Sequence, residues 1–230
     1  MLFVTTCSKA GFDEYGHRLL ETFDNAPGRM IWYADDIEIS HPRITQKHIP
    51  KAMTAFHGRY SSYEPVSWRW DVVKFAHKVY AVVDAFADHD GLGIWIDADT
   101  VIHKKIPEGT LEQFLPSGMF MSMFKRAGMY TETGFWMMDC SHEAKQKFLD
   151  AWIAWYESDR FKALSEWHDC MTLDATVRAF EKHGLIETFS LSGKHERQMH
   201  PMASSPLGEW FDHCKGPRKS TGVSPENKYR

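Results

Sequence analysis

Two aspartates separated by one residue, Asp97 and Asp99, directly follow a mostly apolar run at residues 93–96. Such a run predicts a buried strand, and open α/β folds bind their ligands at the carboxyl ends of such strands. Carboxylate oxygens are the ligands that hard divalent cations prefer, and a cation held there can neutralise a diphosphate. The pair therefore predicts a metal site at the edge of a sheet.

The same pattern also fits a phosphatase. In haloacid-dehalogenase-like phosphatases the first aspartate of such a motif attacks phosphorus, and the second acts as acid and base beside Mg²⁺. Asp97 and Asp99 fit these roles, and Asp169 with Asp174 could supply the later acidic pair. However, no apolar strand precedes Asp169, and a strand–helix–strand pattern already precedes Asp97. The motif alone leaves this alternative open.

A second group of chemically useful residues lies near the end of the chain, at residues 213–219. His213 can complete a metal site made of carboxylates, because a neutral imidazole is a common metal ligand. Gly216 allows the backbone to approach a phosphate closely. Lys219 can neutralise a departing diphosphate. Together with the Asp-x-Asp pair, this segment favours a metal-bound diphosphate over a phosphatase nucleophile.

Residues 96–100 and the pattern His213-x-x-Gly216-Pro217-x-Lys219 together resemble the signature pair of the glycogenin and bacterial lipooligosaccharide galactosyltransferase family. These are retaining, metal-dependent glycosyltransferases of the GT-A fold. Two intermediate segments agree with the resemblance. Residues 133–139 resemble the family's Asn-x-Gly strand beside the sugar, and residues 169–174 resemble its Asp-Gln-x-x-Leu-Asn helix start.

The resemblance implies Mn²⁺ or Mg²⁺ bound by Asp97, Asp99 and His213, and transfer of a hexose from a UDP-sugar to an acceptor hydroxyl. Lys219 would stabilise the departing diphosphate. Retention follows if the acceptor attacks from the leaving-group side, and Asp169 then only orients a sugar hydroxyl. If Asp169 lies beside the acceptor hydroxyl, it could act as a general base and invert the centre. A nucleotide-sugar-binding module without catalysis is the non-enzymatic alternative.

The donor-binding residues that the resemblance implies are spread along the chain. They are Thr5, Thr6, Lys74, Lys78, Ala98, Thr133, Gly134, Gly216 and Lys219. Thr5 and Thr6 end the first strand, where the nucleotide base is expected. The choice between Lys74 and Lys78 as a basic contact to the donor stays open. The chain departs from the family at Cys170, because related enzymes carry a glutamine there beside the sugar.

The elements that must position these residues alternate between strands and helices. The pattern predicts strands at 2–5, 30–33, 93–96, 119–123, 134–139 and 186–191, and helices at 12–25, 70–86, 141–156 and 172–183. Residues 37–67, which contain three prolines, are expected to form an irregular excursion with a short helix near 51–57. A strand–helix–strand opening with short turns predicts a parallel sheet.

The expected fold class is α/β, a GT-A (Rossmann-like), mixed but mainly parallel sheet flanked by helices in a single domain. Within it, residues 1–102 form the nucleotide-binding half, 103–212 the sugar and acceptor half, and 213–230 a tail that binds metal and diphosphate. A chain of 230 residues with 43% hydrophobic residues is long enough for one such domain with a well-buried core.

Charge and composition limit the compartments and the classes of partner that we expect for this protein. The four cysteines are widely spaced and no apolar run approaches the ~20 residues of a membrane span, which favours a cytoplasmic protein without an anchor, in the host cytoplasm if phage-encoded. A net charge of −4 excludes a global basic field for nucleic acid. The acceptor stays open between a saccharide, a protein and a hydroxymethylated DNA base. A basic cluster would allow the last: Lys215, Arg218, Lys219, Lys228 and Arg230.

Overall fold

The computed structural model describes residues 1–192 and 200–229. Its strands are β1 (Leu2–Thr6), β2 (Arg29–Tyr33), β3 (Ile44–Lys47), β4 (Leu92–Ile96), β5 (Thr100–Ile102), β6 (Met121–Phe124), β7 (Glu132–Asp139), β8 (Thr188–Ser190) and β9 (Phe211–His213). Its α-helices are α1 (Lys9–Gly11), α2 (His17–Thr22), α3 (Lys51–Arg59), α4 (Val72–Phe86), α5 (Lys145–Glu157), α6 (Asp169–Lys182), α7 (Pro201–Ser204) and α8 (Arg218–Thr221). Arg230 of the predicted basic cluster lies outside the described residues.

Seven strands form one twisted sheet in the order β3-β2-β1-β4-β7-β6-β8. Strands β3, β2, β1 and β4 are mutually parallel, β7 is antiparallel to both of its neighbours, and β8 is parallel to β6. The expected fold class, a mixed and mainly parallel sheet flanked by helices, is confirmed. Strands β2 and β3 are added on one side of β1, and β4 is then added on its other side. The strand order therefore reverses between β1 and β4, which makes that point of the sheet edge the expected ligand site.

Both faces of the sheet are covered, which explains why the central strands are apolar along their length. Helices α4, α5 and α6 pack on one face through side chains such as Val79, Trp152 and Leu173. Helix α2 and the segment around α7 pack on the other face through Leu19 and Met202. Strands buried on two sides need apolar residues at every position, so they read as continuous runs rather than alternating patterns.

The helix predicted at residues 12–25 is interrupted. It begins with α1, widens into a π-helical turn over Phe12–Gly16, continues as α2, and ends in a 3₁₀ turn over Phe23–Asn25. The glycines permit this, because a Cβ at Gly16 would approach Cys7 Sγ to 3.2 Å. Wide turns of this type add one residue per turn and are common at functional sites. Here the turn carries Tyr15 to a cleft at the sheet edge.

The proline-rich excursion at residues 37–67 is more regular than expected. Its short helix is confirmed as α3, but the excursion also contains β3, which extends the parallel sheet beyond β2. The Gln46 side chain stabilises the turn before β3, because its amide donates to the carbonyls of Ala34 and Ile37 at 3.1 and 2.7 Å. A four-residue edge strand of mixed polarity has no periodic signature that sequence reasoning can use.

Residues 211–214, near the end of the chain, pack against the edge of the sheet. Strand β9 pairs antiparallel with β5, which places His213 directly opposite Thr100. The Cys214 amide then donates to the Asp99 carbonyl at 2.9 Å. Pairing of these short strands fixes the imidazole beside the carboxylates that follow β4. No helix in the described ranges is both long and apolar enough to span a membrane.

Candidate active site

A cleft of about 650 Å³ opens where β1, β2 and β4 end. Thr6 follows from β1, Asp35 from β2 and Asp97 from β4, while α4 and α8 contribute lysines. A volume in this range is typical of small-molecule and cofactor sites. The cleft lies where the strand order reverses, which is where open α/β sheets bind their ligands.

Two carboxylates and an imidazole converge at the floor of this cleft. His213 Nε2 lies 2.8 Å from Asp99 Oδ1 and 3.7 Å from Asp97 Oδ2. The amine of Lys219 lies 3.1 Å from the other oxygen of Asp99. The structure therefore brings together the three predicted metal ligands and one of the predicted catalytic residues. Their roles as metal ligands and catalyst stay predictions.

The arrangement of these atoms fits a divalent cation better than a hydrogen-bond network. Asp99 Oδ1 and both ring nitrogens of His213 are buried, and within residues 1–192 and 200–229 none has a hydrogen-bond partner of suitable geometry. The 2.8 Å contact between Asp99 and His213 is short, but its angle does not suit a hydrogen bond. Adjacent ligands of an octahedral cation with bonds of about 2.1 Å lie about 3.0 Å apart. Asp97, Asp99 and His213 would hold such a cation.

Electrostatics keep the floor of the cleft charged. Burial alone would raise the pKa of Asp99, but the neighbouring His213 and Lys219 outweigh it and hold the pKa well below its usual range. Burial likewise opposes the charged form of Lys219, yet Asp99 and Tyr15 raise its pKa. The Lys219 amine also lies 4.1 Å from the centroid of the Tyr15 ring, a cation–π contact. Asp99 is therefore ionised and Lys219 protonated at neutral pH.

A second polar cluster, which we call the lysine cluster, lies beside the first and is made of Lys78, Asp97, Asp169 and Thr133. The buried Lys78 amine lies 3.0 Å from Asp97 Oδ1 and 2.6 Å from Asp169 Oδ2. It also donates to the Thr133 carbonyl at 2.9 Å, and the Thr133 hydroxyl donates to Asp169 Oδ2 at 2.6 Å. Lys78 thus contacts each of the other members, and Asp97 belongs to both clusters.

The lysine cluster sets the charge of its buried members. Burial would lower the pKa of Lys78, but Asp169 and Asp97 outweigh it and raise that pKa beyond its usual range. Burial would raise the pKa of Asp169, and Lys78 and Thr133 hold it below its usual value instead. The adjacent Cys170 thiol lies 3.0 Å from the Thr133 hydroxyl, and burial raises its pKa well above the usual range. Asp169 is therefore a weak base and Cys170 a neutral thiol.

Comparison with known proteins gives structural matches only. No protein-family model and no curated protein sequence matches the chain. Among solved structures, the apo bifunctional glycosyltransferase WbbM has a TM-score of 0.50 at 12% identity, covering 76% of this chain and 37% of its own. The apo glycosyltransferase GlyE of Streptococcus pneumoniae TIGR4 has a TM-score of 0.51 at 9% identity, covering 82% and 44%. An active-site mutant of LgtC has a TM-score of 0.50 at 10% identity, covering 94% and 88%.

The chain has a GT-A-type fold. At these identities the likeness concerns the fold alone. The chain spans less than half the length of WbbM and of GlyE but most of the length of LgtC. The GT-A fold agrees with the sheet order and with the position of the cleft described above.

Gly134, a predicted donor-binding residue, lies directly against His213 in this GT-A fold. A Cβ at this position would lie 2.1 Å from His213 Cε1 and 2.4 Å from His213 Nδ1. The imidazole therefore packs directly on the backbone of β7, and only glycine leaves room for it. Thr133, its neighbour, faces the lysine cluster instead. Gly134 acts on the candidate metal site through His213.

The remaining predicted donor-binding residues lie in different environments. Thr6, Lys74 and Ala98 line the cleft, whereas Thr5 is fully buried and is not among the lining residues. Lys74 is exposed at the first turn of α4 and Lys78, one turn later, is buried. Gly216 adopts a φ of +65°, a left-handed conformation that favours glycine. Both lysines line the cleft, so the choice between them as a donor contact stays open.

Several residues at the GT-A site were missed by sequence reasoning. The Trp95 indole donates to Asp97 Oδ1 at 2.7 Å. The only sequence feature that indicates this contact is the spacing of two residues, which places both side chains on the same face of a strand. The buried carboxylate of Glu132 accepts from Lys215 at 3.0 and 3.1 Å. The buried His200 ring packs edge-on against His213, with 4.5 Å between centroids. No local pattern marks Glu132 or His200, because their partners are distant in sequence.

Proposed function

We propose that this protein is a metal-dependent glycosyltransferase that moves a hexose from a UDP-sugar to an acceptor hydroxyl, with retention. The observation that carries the proposal is the convergence of Asp97, Asp99, His213 and Lys219 at one cleft. These residues come from distant parts of the chain, and they supply oxygen and nitrogen ligands plus a cation. That combination suits a diphosphate bound through a divalent ion. The GT-A fold supports the same conclusion.

The chain's own residues account for binding and charge stabilisation. Mn²⁺ or Mg²⁺, when bound by Asp97, Asp99 and His213, supplies Lewis-acid stabilisation of charge on the diphosphate. Lys219, next to Asp99, adds a fixed positive charge where negative charge develops. Gly216 lets the backbone before α8 come close to a phosphate group. Thr6, at the end of β1, lines the cleft and would contact the nucleotide base.

The reaction exchanges one bond at the anomeric carbon for another. The bond from this carbon to the diphosphate oxygen breaks, a bond to the acceptor oxygen forms, and the hydroxyl proton passes to the departing diphosphate. Asp169 is buried and fully bonded to Lys78 and Thr133, and its pKa is lowered, so it is a poor general base. Without a general base at Asp169, we infer that the acceptor attacks from the leaving-group side and hence with retention.

The phosphatase alternative has less support from the arrangement of acidic residues. Asp97 Oδ1 is held by the Trp95 indole and the Lys78 amine, which reduces its freedom to attack phosphorus. Asp174, the second member of the later acidic pair, accepts from the Thr131 amide at 3.1 Å and lines a different cleft. A phosphatase would need this carboxylate beside Asp97 and Asp99.

The experiment that tests the proposal compares two Asp-x-Asp motifs of the same chain. The variant Asp97→Ala/Asp99→Ala should abolish Mn²⁺-dependent hydrolysis of UDP-glucose and UDP-galactose, and the associated rise in melting temperature. The matched control is Asp88→Ala/Asp90→Ala, which removes two carboxylates from an exposed turn. Full hydrolysis in the first variant would contradict the proposal. Metal-dependent binding of UDP without any sugar release would identify a non-catalytic binding module, and turnover of an aryl phosphate would identify a phosphatase.

A further inference from the structure

Four aromatic rings lie between the cleft at the ends of β1, β2 and β4, which we call the donor cleft, and a second cleft. We call these residues, Phe75, Trp68, His168 and Tyr130, the aromatic ridge. Phe75 lines the donor cleft and Tyr130 lines the second cleft. The buried His168 ring lies between them, with its centroid 5.8 Å from that of Phe75, 5.6 Å from Trp68 and 4.6 Å from Tyr130. Because His168 directly precedes Asp169, the ridge ends beside the lysine cluster.

Trp68 is the exposed part of the ridge and is supported by its neighbours. Trp68 is 52% exposed, although indole is among the largest apolar side chains. The Arg69 guanidinium lies 5.6 Å from its centroid and 3.2 Å from Glu166, and Glu166 in turn lies 2.8 Å from His168 Nε2. The Trp167 amide also donates to the Arg69 carbonyl at 2.8 Å. A large ring fixed in water on such a support is preorganised for a ligand.

The second cleft has a volume of about 680 Å³ and balanced charge. Its cations are paired with carboxylates: Lys125 with Glu181 at 2.9 Å, Arg178 with Asp174 at 3.6 Å, and Arg126 with Glu132 at 3.8 Å. Binding of a polyanion such as DNA depends on unneutralised cations that displace counterions. Paired charges instead offer many donors and acceptors to an uncharged ligand that is rich in hydroxyl groups.

The second cleft lies close to the lysine cluster. The Thr131 amide, at this cleft, donates to Asp174, and the Thr133 hydroxyl, two residues later at the start of β7, donates to Asp169. Two residues of an extended strand span about 7 Å. A ligand held over the second cleft and the aromatic ridge therefore lies within about one sugar unit of Asp169.

We propose that the aromatic ridge and the second cleft bind the acceptor, and that the acceptor is an uncharged saccharide with a ring stacked on Trp68. This inference rests on the proposed function, because it assigns the acceptor side of the same reaction. The apolar face of a pyranose ring complements an indole, and its hydroxyls complement the paired carboxylates and guanidinium groups. The charge balance of the cleft selects the saccharide over DNA.

Direct binding tests the inference. Uncharged trisaccharides of glucose and of galactose, in α and β linkages, are titrated by calorimetry into the full chain and into Trp68→Ala. The expected result is binding of at least one trisaccharide, weakened about tenfold in the variant, the effect of losing one central aromatic contact. The matched control is Tyr229→Ala, which removes the aromatic side chain of a residue that is 41% exposed and lies outside the aromatic ridge, and should leave binding unchanged. Absence of binding, or equal losses in both variants, would overturn the inference.

Two further measurements separate this inference from the proposed function. Hydrolysis of the UDP-sugar without acceptor should be the same in Trp68→Ala as in the parent chain, whereas the KM for the bound trisaccharide as acceptor should rise about tenfold. Loss of donor hydrolysis in Trp68→Ala would overturn the assignment to the acceptor side. Salt-sensitive binding of hydroxymethylated duplex DNA that Trp68→Ala weakens would replace the saccharide by DNA. Trisaccharide binding without any donor hydrolysis would contradict the proposed function but not the saccharide site.

Discussion

The two halves of the donor cleft are built in opposite ways. One half holds the predicted metal ligands, and we call it the metal side. There, Asp99 and His213 are buried with polar atoms that lack hydrogen-bond partners in the described part of the chain. In the lysine cluster, Lys78, Asp169 and Thr133 bond to one another at 2.6–3.2 Å. An unsatisfied buried polar group costs free energy, whereas a satisfied network rigidifies its members. The metal side is therefore suited to receive an ion, and the lysine cluster to hold its members in place.

Replacing Lys78 should produce the largest effect on stability. The variant Lys78→Met leaves the carboxylates of Asp97 and Asp169 without their shared cation in a buried site. Removing one partner of a buried ion pair costs about 3–5 kcal/mol in the free energy of unfolding. Urea denaturation measures this loss, with Lys74→Met, one turn earlier at an exposed position, as the control. Equal stability of both variants would mean that the lysine cluster does not stabilise the fold.

Replacing Lys219 should affect activity more than stability. Lys219 is partly exposed and the buried Asp99 keeps His213 as a neighbour, so Lys219→Met should lower the free energy of unfolding by about 1–3 kcal/mol, less than Lys78→Met. Loss of one charge aimed at the departing diphosphate should lower hydrolysis of the UDP-sugar about 100-fold. The control is Arg218→Met, which removes the neighbouring cation that pairs with Glu226. A similar loss of activity in the two variants would point to general disturbance of α8.

Gly134→Ala should affect the metal side through packing. The added methyl group must displace the His213 ring, and such overpacking costs about 1–3 kcal/mol. Gly93→Ala is a matched control, because its Cβ would lie 2.7 Å from both Cys140 Sγ and Phe86 Cζ, away from the metal ligands. Both variants should be less stable, but only Gly134→Ala should weaken Mn²⁺ binding, by about tenfold or more. Unchanged Mn²⁺ affinity in Gly134→Ala would exclude His213 as a ligand.

Cys170→Ala should have the smallest effect. The thiol is buried and neutral, so it behaves as a small apolar group with one weak contact to Thr133. Alanine should lower the free energy of unfolding by about 1 kcal/mol and leave hydrolysis of the UDP-sugar within about threefold. Thermal melting and a hydrolysis assay measure both. A loss of activity of more than about tenfold would show that the sulfur takes part in the reaction.

The sequence was most informative where a signal is local. The apolar run before Asp97 predicted β4, and the apolar pattern of residues 70–86 predicted α4, since both depend on spacing within one element. It was least informative at the π-helical turn that contains Tyr15 and at the edge strand β3. There, close packing around Gly16 and hydrogen bonds from Gln46 decide the backbone.

The sequence by itself determined the chemistry that is available: carboxylates at Asp97 and Asp99, an imidazole at His213 and a cation at Lys219. Only the tertiary structure decided which groups meet. Pairing of β5 with β9 places His213 opposite Thr100, and the position of α4 buries Lys78 while leaving Lys74 exposed. It also assigns Gly134 to the packing of His213. The reason is physical, because residue types and spacing are local properties, whereas contacts between distant segments depend on how the whole sheet and its helices pack.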